Sequence, residues 1–95
     1  MVGKKDAAVD KVMRSLRKAL RERIPSRYGV RLRALPTGHK DLWDILVISD
    51  YFRGKGFHKR LKFLQKVEDG VLTPEEQFRF CVLPFTEREA RERGL

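Results

Sequence analysis

The run Ile45-Leu46-Val47-Ile48 limits the fold more than any other stretch. Successive side chains of an extended chain point to opposite faces, so four apolar residues in a row require burial on both. Trp43 to Ser49 is therefore expected to be the most buried strand of a sheet. The run stops at Ser49-Asp50, turns through Gly54 and Gly56, and becomes strongly basic. One acidic residue, Asp44, stands at the mouth of the strand. Strand, glycine turn and basic helix place charge and backbone donors beside a rigid sheet.

The flanking segments supply the rest of a small α+β domain. Val9, Val12, Met13, Leu16, Ala19, Leu20 and Ile24 recur at three- and four-residue spacing, which predicts a first helix. Asp6 is placed to cap it and Pro25 to stop it. From Tyr28 to Leu35, Val30, Leu32 and Ala34 alternate with Arg31 and Arg33, the pattern of a half-exposed strand. The connection through Pro36–Lys40 is too short for a parallel crossover, so this strand and the next are expected to be antiparallel neighbours. Phe57 to Val67 predicts a second helix on an apolar stripe of Phe57, Leu61 and Leu64 widened by Phe63 and Val67, ended by Glu68-Asp69-Gly70. Thr73-Pro74-Glu75-Glu76 reads as a capping box. A third strand is expected over Phe78–Phe85, and a second capping box, Thr86-Glu87-Arg88-Glu89, opens a terminal helix through Arg93. The 95 residues suffice for one domain, 1–95, with a thin core. We expect helix, strand, strand, helix, turn, strand, helix: a three-stranded sheet with helices packed mainly on one face.

Charge narrows the function classes. The chain carries 22 Lys and Arg against 13 Asp and Glu, a net charge of +9. Such an excess suits a polyanionic partner, whether nucleic acid, a nucleotide or an acidic protein, and equally a merely solvated surface. The single cysteine, Cys81, excludes an internal disulfide and a multi-cysteine zinc site. It favours a reducing, cytoplasmic setting, in keeping with an amino terminus that lacks a signal-peptide apolar core. No apolar run approaches the length of a membrane span, so no membrane partner is expected.

From Tyr51 to Val67 there are six Lys or Arg and no acid. Arg53, Gly54, Lys55, Gly56, Lys59, Lys62 and Lys66 gather around the glycine turn and one helix face, and form the candidate anion-binding or nucleic-acid-binding set. Glycines permit close backbone approach, and helix amino termini attract phosphate. The turn is neither a Walker loop nor a dinucleotide fingerprint. With Phe57 and Phe63 assigned to the core, no aromatic side chain interleaves with these cations, so stacking on single-stranded bases is not expected. Arg60 is the odd residue, because its direction falls inside the apolar sector. A charge there needs a partner, and Asp50 or carbonyls at the end of the second strand are the candidates. Asp41 and Asp44 fall on opposite faces of a strand, the wrong geometry for chelating one Mg²⁺, and His39 and His58 lack companions at ligand spacing. No cofactor is implied.

Trp43-Asp44-Ile45-Leu46-Val47-Ile48-Ser49-Asp50-x-Phe52-x-Gly54, then Phe57 and Arg60-Leu61, resembles the minimal nucleotidyltransferase domains of the DNA polymerase β superfamily. Val82-Leu83-Pro84-Phe85-Thr86-x-x-Glu89 resembles that family's closing strand and helix start. The resemblance implies Mg²⁺-dependent transfer held by three carboxylates. Only Asp44 matches: Leu42 takes the first position, and the third falls near Cys81, where no acid stands. The family's Gly-Ser is also absent from Leu35-Pro36-Thr37-Gly38. The resemblance thus implies a member without catalysis, acting by nucleic-acid, anion or protein binding; an active Mg²⁺ enzyme centred on Asp44 is the third reading. The segment through Ser49-Asp50-x-Phe52-x-Gly54-Lys55, leading to a helix with Arg60, also resembles the BolA-like fold, a relative of type II KH domains, which has a Val-Ser-Asp-x-Phe-x-Gly-Lys segment there and a Thr-Pro-Glu helix start at its end. Its helix, hairpin, helix-turn-helix, strand order suits the short Pro36–Lys40 loop better. It implies a nucleic-acid-binding module, the second reading after the non-catalytic nucleotidyltransferase-like one. Arg60-Leu61-Lys62 replaces that family's Arg-His-Arg, and Phe78–Phe85 lacks its iron–sulfur histidine.

Overall fold

The computed structural model describes residues 7–95. The proposed cap Asp6 lies outside the described residues. Helix α1 spans Ala7–Arg23, and strands β1 (Arg31–Pro36) and β2 (Trp43–Ile48) follow. Helix α2 (Phe57–Val71), helix α3 (Pro74–Arg79), strand β3 (Phe80–Phe85) and helix α4 (Glu87–Glu92) complete the chain. The fold is α+β in the expected order, with a sheet ordered β1-β2-β3.

β1 and β2 form an antiparallel hairpin whose register runs from Arg31 opposite Ile48 to Pro36 opposite Trp43. The hairpin loop closes on itself: Thr37 donates its backbone N–H and hydroxyl to the Leu42 carbonyl, and Gly38 and Asp41 take positive φ values of 91° and 66°. Asp tolerates this left-handed region better than most side chains. β3 lies parallel to β2, Ile45 opposite Val82 and Ile48 opposite Phe85. As an outer strand it accommodates Pro84, which has no N–H to offer a further neighbour.

The central run is buried on both faces, as its pattern requires: Ile45, Val47 and Ile48 are fully covered and Leu46 nearly so. Ile45 and Val47 pack under α1 and α2 through Val12, Leu16, Leu20, Phe52, Leu64 and Val67. Leu46 and Ile48 point the other way, under Ala90 of the short α4, with Leu35, Leu83 and Phe85 at the margin. One sheet face thus carries both long helices and the other only six residues of helix.

Three boundaries differ from expectation. Tyr28 belongs to a single 3-10 turn over Ser26–Tyr28, because Pro25 and the positive φ of Gly29 reorient the chain before β1. α2 runs through Gly70 to Val71, held by Val67 and by Leu72 just beyond its end, both buried. Packing here outweighs the ~1 kcal/mol that glycine loses in a helix. Phe78 and Arg79 close α3 instead of opening β3, because the Thr73 capping box nucleates a full helical turn and the ladder begins only where Phe80 meets Trp43.

Candidate functional site

The glycine turn is built from the end of β2 outward. Ser49 is fully buried. Its hydroxyl donates to the Gly29 carbonyl at 2.6 Å and accepts the Tyr51 N–H at 3.1 Å, so β2 ends in a fixed cap. Asp50 accepts the Glu87 N–H at 3.2 Å and faces Arg53 at 3.6 Å, which ties the turn to the start of α4. Gly54 takes φ 79°, a conformation that side chains resist, and Gly56 caps α2 without a side-chain hydrogen bond. The first backbone N–H groups of α2 therefore face outward with no side-chain cap.

Arg60 is buried, as its direction on the helix requires, but its partner is not Asp50. Its guanidinium grips Glu89 of α4 in a fork, at 2.6 and 3.2 Å, and Nε donates to the Lys55 carbonyl at 2.8 Å. The expected carbonyls at the end of β2 give way to one inside the glycine turn. Glu89 also accepts the Thr86 N–H at 2.9 Å as the closing half of its capping box. The hydrogen bonds from Arg60 hold the Glu89 carboxyl below its ordinary range. Glu89 is the residue that sequence reasoning missed; Thr86-x-x-Glu89 revealed its capping role but not its second, tertiary one.

The candidate cations divide. Lys59, Lys62 and Lys66 are exposed on the outward face of α2, and among the described residues none makes an ion pair or side-chain hydrogen bond. Lys55 is half-buried, its ammonium donating to the Tyr51 carbonyl at 2.8 Å and lying 4.1 Å from the Tyr51 ring centre. Arg53 and Gly54 line a depression of about 630 Å³ with Arg60, Thr86, Arg88, Glu89 and Glu92. An anion entering there competes with two carboxylates already engaged, Glu89 by Arg60 and Glu92 by Arg88 at 3.4 Å. The helix row, not the glycine turn, thus presents uncompensated charge.

Phe57 departs from its assigned place in the core. It is 57% exposed at the first position of α2, beside Pro84, Phe85 and Arg93. Phe63 does join the core, in ring contact with Tyr51 and Phe52. Cys81 is exposed on β3, opposite Asp44. Partial burial, then the nearby Asp44 and Glu68, push its thiol up, so little reactive thiolate forms. Asp44 is half-buried in register with Leu35 and Cys81. Among the described residues no three His, Cys, Asp or Glu side chains converge in a way that holds a metal ion. No helix among them is long and apolar enough to cross a membrane. Comparison with protein-family models, with curated proteins and with solved structures finds no match to this chain.

Proposed function

We propose that this protein is a nucleic-acid-binding module of BolA-like arrangement, working in the cytoplasm by phosphate contact and not by catalysis. The observation that carries the reading is the row Lys59, Lys62 and Lys66: three exposed cations on one helix face, without ion-pair or hydrogen-bond partners among the described residues. Other cations are neutralised by acids, as Arg31 is by Glu87 at 2.9 Å. The acid beside the α2 row, Asp69, is taken up by Gln65 at 2.8 Å and Gln77 at 3.2 Å instead. The antiparallel hairpin with its short loop supports the BolA-like arrangement over the nucleotidyltransferase-like one. Leu42 and Cys81, standing where that second resemblance calls for carboxylates, support binding over phosphoryl transfer.

Because phosphate contacts release counterions, binding should weaken steeply with salt and depend little on sequence. The test is fluorescence titration of labelled oligonucleotides at two salt concentrations, with wild type and a Lys59/Lys62/Lys66→Glu variant. We expect salt-sensitive binding by wild type and at least a tenfold loss in the variant. Equal binding by the two proteins would rule out this surface.

A further inference from the structure

The positive charge of this chain has an address. Residues 11–23 and 51–67 hold twelve of the 22 Lys and Arg and one of the 13 Asp and Glu, a charge of +11. The remaining residues, with ten basic and twelve acidic side chains, carry −2. Counted over whole elements, acids included, α1 carries +4, α2 +2 and the turn from Tyr51 to Gly56 +2, so these segments hold most of the net +9.

Those two helices lie against each other on one face of the sheet. At ~100° per residue, Arg14, Lys18 and Arg21 fall opposite the buried stripe of Val12, Leu16 and Leu20. All three are exposed, with Arg17 half-buried beside them, and the four line a shallow groove of about 410 Å³ together with Glu22. Among the described residues none of the four makes an ion pair or a side-chain hydrogen bond. Both apolar stripes point at the same sheet, so both basic rows point away from it on the same side of the molecule. Each row runs over seven residue steps, about 10 Å of helix, and packed helix axes stand about 8–10 Å apart. Six cations thus occupy a platform roughly 10 Å on a side.

We infer that this two-helix platform binds double-stranded nucleic acid, with α1 contributing phosphate contacts alongside α2. The inference rests on the nucleic-acid reading above and assigns its substrate class. A duplex carries one charge per ~1.7 Å of axis, both strands counted, so ~10 Å of it holds about six phosphates around its circumference, a density that a platform of six cations can engage from one side. Single-strand grooves add aromatic stacking surfaces. The exposed aromatics here lie elsewhere: Tyr28 in the 3-10 turn, Phe57 against Pro84 and Phe85, and Phe78 on α3. An anionic membrane is a poorer fit, because helices that bind one insert an apolar face, and both apolar faces here are spent on the sheet.

The test measures affinity for a labelled duplex and for a single strand of equal length, with wild type, Arg14/Lys18/Arg21→Glu and Lys59/Lys62/Lys66→Glu. Retained helicity is checked by circular dichroism. An Arg14/Lys18/Arg21→Gln variant, with no added acid, covers the case in which reversal unfolds α1. We expect tighter binding to duplex than to single strand. Each reversal should weaken duplex binding at least tenfold and flatten its dependence on log salt by roughly 2–3 units. The Gln variant should shift the same way by less. Duplex binding unaffected by the α1 changes but lost with the α2 change overturns the platform and leaves the α2 reading intact. Single-strand preference overturns the duplex assignment, and binding untouched by either change overturns both.

Discussion

At the scale of single residues, Arg60 stays buried because its acceptors arrive from two directions, Lys55 before it in the chain and Glu89 from α4. Removing one partner of a buried ion pair costs about 3–5 kcal/mol. The Glu89 side chain is still 39% exposed, so Glu89→Ala should cost less, about 2–3 kcal/mol including the lost cap. Urea unfolding of Arg60→Leu, Glu89→Gln and the double variant should give a coupling energy of about 1–2 kcal/mol; additivity within about 0.5 kcal/mol would contradict the pairing. Glu68 behaves in the opposite sense. Burial first, and Asp69 second, push its carboxyl from about 4.5 up to about 7. A raised carboxyl favours the folded state while protonated, so this contribution is full below the unfolded value and is lost as pH rises through about 7. Solvent screening of a half-exposed group reduces the effect to roughly 1 kcal/mol. Glu68→Gln should remove this pH dependence and be the more stable protein at pH values above the window. A variant that follows the wild-type stability curve through the window would show that Glu68 is not its source.

At the scale of elements, α2 contains its own weak point. Gly70 sits inside the helix at negative φ, and a Cβ placed there meets open space. Gly70→Ala should therefore stabilise the protein by about 0.5–1 kcal/mol, read as an upward shift of the thermal midpoint. An unchanged or lowered midpoint would mean that the last turn of α2 is not helical in solution. This turn is also where the sequence misled. Local signals were legible: the apolar spacing of α1, the alternation of Leu32 and Ala34 in β1, and both capping boxes are written within a few residues of where they act. Gly70 inside a helix rests on the burial of Val67 and Leu72, Phe78 outside a strand on the reach of the Thr73 capping box and the point where β3 meets β2, and Phe57 outside the core on how α2 meets β3 and α4. The site was half legible in the same way. Periodicity placed Lys59, Lys62 and Lys66 together and Arg60 apart from them. That Lys55 would be drawn onto Tyr51, and Arg60 onto Glu89, depends on how the glycine turn and α4 meet in space.

At the scale of the whole molecule, the two faces of the sheet have different characters. One lies beneath α1 and α2, whose exposed charged side chains are mostly basic, with Glu22 and Asp69 the acids among them. The other is half covered by α4 and leaves Leu35, Cys81 and Leu83 at its margin, with Asp44 between them. Binding through phosphates requires only the first. Amide shift mapping by NMR during titration with a short duplex at low salt distinguishes the two faces directly. The expected result is a set of fast-exchange shifts on α1 and α2, centred on Arg14, Lys18, Arg21, Lys59, Lys62 and Lys66, that collapses when salt is added. Shifts centred instead on Leu35, Cys81 and Leu83, or no shifts at all, would contradict it.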